Sequence, residues 1–183
     1  MTFHEHVRAR TGMYFGPRPT TYDLALIVAS DAAYDLADEN TFLVVSVSQS
    51  GTICVADNGP GIPNRDIRGA PRISRLLETL PIGGHPGRGV IAHVGAVCTN
   101  LSVQTVSVDG IQRARVVEGV LAGVEQSGRT TEPTGTTVEF TPDYNFVEST
   151  PIDVDKLRSA IIEEAAKDWN VDLQTRITVG FMK

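Results

Sequence analysis

The stretch "GTICVADNGPGIP", residues 51–63, constrains this chain more than any other. An apolar run of strand type leads straight into Asp57-x-Gly59-x-Gly61, followed by Ile62 and Pro63. A lone carboxylate after a strand is ordinarily a turn residue. Two glycines beside it add a surface of bare backbone against which a flat ligand can lie. The carboxylate can then accept a hydrogen bond from an exocyclic amino group, as on adenine.

The elements around this stretch predict an α/β chain. "TTYDLALIVASDAAYDLADEN" predicts a helix from Thr20 to Asp38, with a threonine cap, Asp23 in the first turn and apolar residues at Leu24, Ile27, Val28 and Tyr34. "FLVVSVSQ" and "TICVAD" read as a hairpin turning at Ser50-Gly51. A helix follows Pro71, then the loop "PIGGHPGRG", then a buried helix over "VIAHVGAVCTNL". Asp109-Gly110 marks a second hairpin, and "GTTVEFTP" is a further strand. A helix capped by Thr150, with Pro151 at its first position, carries the stripe Val154, Leu157, Ile161, Ala165 and Trp169. The last strand places Val171, Leu173, Ile177, Val179 and Phe181 on one face. Helices interspersed with hairpins predict a two-layer α/β sandwich with one mixed sheet, and 183 residues predict a single domain over 1–183.

Composition narrows the function. A net charge of -6 and a pI near 5.2 argue against nucleic acid as a partner of this domain. No apolar run approaches the roughly 18 residues of a membrane span, and "MTFHEHVRAR" lacks the apolar core of a signal peptide, so a cytoplasmic protein with no membrane partner is expected. Cys54 and Cys98 lie in apolar runs and read as buried, reduced thiols. "HEH" at His4–His6 reads as a mobile terminus, and Arg113 and Arg115 as a solvated strand face. No metal site is expected.

Four stretches resemble one family. "RARTGMYFGP", "VADNGPGIP", the glycine loop with "HVGAVCTNLS", and "GTTVEFTPD" occur in the order and spacing of the N-terminal ATPase domain of DNA gyrase B and its topoisomerase IV counterpart. That domain belongs to the GHKL superfamily, and the resemblance runs from about Val7 to about Val179. It implies the superfamily's α/β sandwich, the Bergerat fold, with an ATP pocket between helices and sheet. By position, Asp57 resembles the adenine-binding acid, and Gly59, Gly61, Ile62 and Pro63 the wall beside the base. Thr136 resembles the hydroxyl that supports the acid. Gly87, Gly89 and Gly95 resemble the lid and phosphate-facing turn. ATP or ADP is the implied cofactor.

The chain departs from the family pattern on its first long helix. There the family carries a glutamate that activates water and, one turn on, an asparagine that binds magnesium. Val28 and Ala32 take those positions here, and neither Glu nor Asn occurs between Thr20 and Ala37. Asp35 keeps a later aspartate. Magnesium binding is therefore in doubt, and the expected function is that of an ATP-binding pseudo-ATPase. It would act in nucleotide sensing or in contact with a protein partner that the sequence does not name. Two alternatives stay open: a sequestration protein using the pocket for another ligand, such as a gyrase-inhibitor-like molecule, and a weak ATPase with Asp31 or Asp35 as base. "MTFHEHV" and "TVGFMK" read as natural ends, so a stand-alone protein is expected.

Overall fold

The computed structural model describes residues 1–33, 36, 40–64, 72–78, 90–167 and 173–182. Its elements are α1 (Phe3–Ala9), α2 (Thr11–Phe15), α3 (Thr21–Ala33), β1 (Leu43–Val47), β2 (Ile53–Asp57), α4 (Arg72–Glu78), α5 (Val90–Ala96), β3 (Cys98–Ser107), β4 (Gly110–Val117), β5 (Val120–Ser127), β6 (Gly135–Pro142), α6 (Val154–Ala166) and β7 (Ile177–Phe181). The strands form one sheet in the order β5-β4-β3-β6-β2-β1-β7. β1 pairs with β7 in parallel and the other neighbours pair antiparallel, so the sheet is mixed. The chain has the α/β fold expected of it.

Local chemistry explains most of these boundaries. α3 starts where Thr20 and Asp23 cap each other. The Asp23 N–H donates to Thr20 Oγ1 at 3.2 Å, and the Thr20 N–H donates to Asp23 Oδ2 at 2.8 Å. The buried face of α3 carries Leu24, Ala25, Val28, Ala29, Ala32 and Ala33. Its small side chains let the helix lie close over β1 and β2. The turn between those strands forms at Ser50-Gly51 as expected, with Val47 opposite Ile53 and Gly51 at φ +84°.

Several boundaries differ from the sequence reading. The helix over "VIAHVGAVCTNL" stops at Ala96, and Cys98 already belongs to β3. Arg8 accounts for the stop: its Nε donates to the Ala96 carbonyl at 2.6 Å, while the Asp143 N–H takes the Val97 carbonyl at 2.9 Å. The β3–β4 connection is Val108-Asp109, one residue earlier than expected, because Ser107 pairs with Gly110. The last helix is capped by Asp153, whose Oδ1 accepts from the N–H groups of Asp155 and Lys156; Thr150 and Pro151 precede it and lie outside the helix. β7 begins only at Ile177, and its Phe181 is exposed. β5 was not expected, since its outer edge position leaves it without a regular buried face. Tyr34, Trp169 and Val171 lie outside the described residues.

The N-terminus is ordered as a helix, not a mobile tail. Thr2 and Glu5 form a reciprocal cap, and His4 is buried on α1. Further along the same segment, Arg8 pairs with Asp143 at 3.7 Å and stacks over the Phe146 ring at 4.9 Å. "RARTGMYFGP" therefore fastens the C-terminal end of α5 to the segment after β6.

Candidate functional site

The site is built on one row of residues across the sheet. Asp57, the last residue of β2, pairs with Thr136 on β6. Thr136 pairs with Thr105 on β3, and Thr105 with Gln112 on β4. Directly opposed residues project from the same face. The residues two positions along, Val55, Val138, Val103 and Ala114, all belong to the apolar core, so the row faces the helices. Asp57 is 8% exposed, Thr136 1%, and Thr105 and Gln112 are fully buried.

Polar groups inside a core are hydrogen-bonded, and this row meets that requirement by gripping the loop after Asp57. The Gly59 N–H donates to Asp57 Oδ1 at 2.9 Å. The Ile62 N–H donates to Thr105 Oγ1 at 2.7 Å. Gln112 Nε2 donates to the carbonyls of Ile62 and Pro63, each at 3.1 Å. Asn64 Nδ2 donates to the Asp109 carbonyl at 2.8 Å. On the other side of Asp57, Asn58 Oδ1 accepts from the Phe42 N–H at 2.6 Å, and its Nδ2 donates to the Asn40 carbonyl at 3.1 Å. Arg176 reaches the same connection, donating from Nε to the Thr41 carbonyl at 2.8 Å.

Two glycines are required by this packing. Gly61 sits at φ +71°, and a Cβ there would lie 2.0 Å from the Val106 carbonyl oxygen. Gly135, at φ +155°, would place a Cβ 2.2 Å from the Asp57 carbonyl oxygen. Bare backbone thus brings β6 and the loop against the end of β2, with Asp57 between them.

The other expected site residues are distributed less evenly. Val28 and Ala32 lie in the apolar core, 1% and 5% exposed. Neither offers an oxygen, so the α3 positions assigned to water activation and magnesium do not fit a magnesium ion. Among the described residues, no cluster of His, Cys, Asp and Glu suits a metal. Asp31 is buried on α3 and already has a polar partner. Gly95 is not in a phosphate-facing turn. It lies inside α5 on the face packed against the sheet, where a Cβ would meet the Val116 and Leu101 side chains at the ordinary contact distance of 3.7–3.8 Å. Gly87, Gly89 and Asp35 lie outside the described residues.

Sequence reasoning missed Thr105, Gln112, Asn58 and Asn64. For the first two a signal existed: in "SVQTVSVDGIQRARVV" they fall on the inward phase of the strand alternation, where a polar residue needs a reason. Of the cysteines, Cys98 is buried, and burial pushes its thiol well up from the ordinary value. Cys54 is only half-buried, and its thiol is raised by burial first and by Glu139 second. Arg113 and Arg115 lie exposed on the open face of the sheet, each donating from Nε to an amide oxygen, of Gln104 and Asn100.

A helical layer over a mixed sheet, with an acid closing β2 and a glycine-rich turn behind it, defines a GHKL-type α/β domain. The chain is a gyrase-B-like member of that superfamily, resembling the N-terminal ATPase domain of DNA gyrase B. It is 32% identical to the DNA gyrase B protein of Streptococcus pneumoniae, with 95% of this chain and 29% of the relative aligned. It is 29% identical to that of Mycobacterium leprae, over 88% of this chain and 26% of the relative. For Halalkalibacterium halodurans the identity is 29%, over 95% and 30%. The chain thus spans less than a third of the length of these relatives. No family model matches it. No described helix is long and apolar enough to cross a membrane.

Proposed function

We propose that this domain binds an adenine nucleotide at Asp57 without hydrolysing it. The observation that carries the reading is the placement of Asp57: a carboxylate at a strand end, beside Thr136 and against backbone that must be glycine. Such a group accepts a hydrogen bond from an amino-substituted base, and Gly59, Gly61, Ile62 and Pro63, by their resemblance to the family, would be the wall beside it. The residues present fit the base. Toward a triphosphate they supply less, because α3 presents Val28 and Ala32 where a general base and a metal ligand would stand. A positioned base contributes about 10²–10⁴-fold to rate, and magnesium adds charge stabilisation on the transferring phosphoryl group. Both contributions are missing from these positions.

The role that follows is a nucleotide-responsive binding module that acts through a protein partner, in keeping with the net charge of -6 and the gyrase-B-like fold. The test has two parts. Calorimetric titration with ATP and ADP, with and without magnesium, should show binding with little magnesium dependence. Steady-state phosphate release should not exceed background. Failure of both nucleotides to bind at millimolar concentration would move the pocket to another ligand. Release that disappears in Asp35→Asn would show that the catalytic carboxylate lies elsewhere on the chain.

A further inference from the structure

The face of the sheet opposite the core carries charges of both signs that the base site does not use. Ser102 on β3 pairs with Arg115 on β4 and with Glu139 on β6. These three alternate along their strands with the core residues Leu101, Val103, Ala114, Val116, Val138 and Phe140, so they project together from the open face. Arg115 Nε donates to Asn100 Oδ1 at 2.9 Å, which holds the guanidinium and leaves its terminal nitrogens to another acceptor. Among the described residues, neither Arg115 nor Glu139 has an ion-pair partner. With Ser102 and Gly123 they line a hollow of about 660 Å³, and a Cβ on Gly123 would meet nothing within 4 Å.

From β5 to β2 this row reads Gly123, Arg115, Ser102, Glu139, Cys54. A cation and an anion stand one strand to either side of Ser102. The row beside it reads Glu125, Arg113, Gln104, Thr137, Ala56. A two-fold axis laid along β3 exchanges the two sides of each row. It sets Arg115 over the partner's Glu139, and Glu139 over the partner's Arg115, with the two Ser102 residues meeting at the axis. Arg113 then faces the partner's Thr137 and Glu125 the partner's Ala56, so no like charges meet within these rows. Sheets packed face to face stand about 10 Å apart, a gap that an arginine and a glutamate side chain span together.

We propose that the open face of the sheet binds a second copy of this chain, through a two-fold contact along β3 held by reciprocal Arg115–Glu139 ion pairs. The contact is self-complementary, and each ion pair occurs twice in it. It lies on the other side of the sheet from Asp57, which faces the core, and it does not depend on nucleotide binding.

Analytical ultracentrifugation of the full chain without nucleotide tests it, at about 0.15 M salt, where repulsion between two acidic chains is screened beyond about 8 Å. Wild type should dimerise with rising concentration. Arg115→Glu and Glu139→Arg each set like charges opposite one another twice, and each should weaken the dimer at least about tenfold. Mixed in equal amounts, the two variants should associate as wild type does, because their heterodimer matches opposite charges at both contacts. A wild type that stays monomeric at millimolar concentration overturns the proposal and gives the face to a different protein. Variants that dimerise like wild type, or a mixture that does not associate, overturn it as well. Should either variant not fold, Ser102→Cys in a Cys54→Ser chain takes its place. A short bismaleimide should then link two copies through position 102, and the absence of linked dimer overturns the proposal.

Discussion

Asp57 is the direct cross-strand partner of Thr136, the two residues facing each other where β2 and β6 end and begin. They stand about 80 residues apart in the chain, and the β6 pairing brings them together on the core side of the sheet. The first prediction rests on that pairing. Asp57→Ala should weaken ATP binding by about 1–3 kcal/mol, the scale of a lost charged hydrogen bond, with the fold retained. Calorimetry against wild type reads the difference, and an unchanged affinity would remove Asp57 from the site.

Thr136→Val should cost less than Asp57→Ala, about 0.5–1.5 kcal/mol of binding, because the carboxylate remains and only a neutral hydroxyl on the neighbouring strand is lost. Parallel titrations of the two variants give the order, and the reverse order would place the principal ligand contact at Thr136.

Gly61→Ala should destabilise the fold. The position has φ +71°, costing about 1–3 kcal/mol for a residue with a side chain, and the added Cβ would lie 2.0 Å from the Val106 oxygen. The loop must move, carrying Ile62 off Thr105. Thermal melts should show a lower Tm, and nucleotide affinity should fall with it.

Val28→Glu should lower stability by roughly 3–5 kcal/mol, since the residue is 1% exposed and a new charge there has no counter-ion supplied by Ala32. Chemical denaturation measures this. Phosphate release should stay at background in the same variant, because one carboxylate without a metal ligand does not rebuild a catalytic pair.

His4 predicts an acid sensitivity. Burial holds its imidazole below the ordinary value, a bond to the Leu77 backbone works the other way, and nearby Arg8 lowers it further. In the folded chain His4 is therefore neutral where the unfolded chain would already bind a proton. Its contribution is present above about pH 6.5 and is lost as pH falls from there through the lowered folded value, at up to about 1.4 kcal/mol per pH unit. Denaturant midpoints measured between pH 7.5 and 5 should decline, and His4→Phe should flatten that part of the curve. A decline unaltered in His4→Phe would assign it to other groups.

Much of the architecture was legible in the one-dimensional pattern because its causes are local. Thr20 and Asp23 cap α3 within one turn, Ser50-Gly51 turns the first hairpin, and the alternation Ile53, Val55, Asp57 places the acid on the inward face. "VADNGPGIP" and "GTTVEFTPD" together pointed to the right superfamily. What misled were boundaries decided at a distance. α5 ends where Arg8, 88 residues away, takes the Ala96 carbonyl, and nothing inside "VIAHVGAVCTNL" marks that point. "HEH" reads as a loose end until α1 packs His4 against the body of the protein.

The sequence by itself determined which residues can serve a base: a carboxylate, two glycines and a threonine, set by covalent chemistry and by strand phase. It equally determined that Val28 and Ala32 carry no oxygen. Only the tertiary structure decided that Thr105 and Gln112 stand behind Asp57 and that Gly95 packs inside a helix. Those facts come from strand order and register, which place β6 between β2 and β3 and bring Thr136 opposite both Asp57 and Thr105. Register is settled by burying whole faces of the sheet at once, a sum over all seven strands that no short stretch of the chain contains.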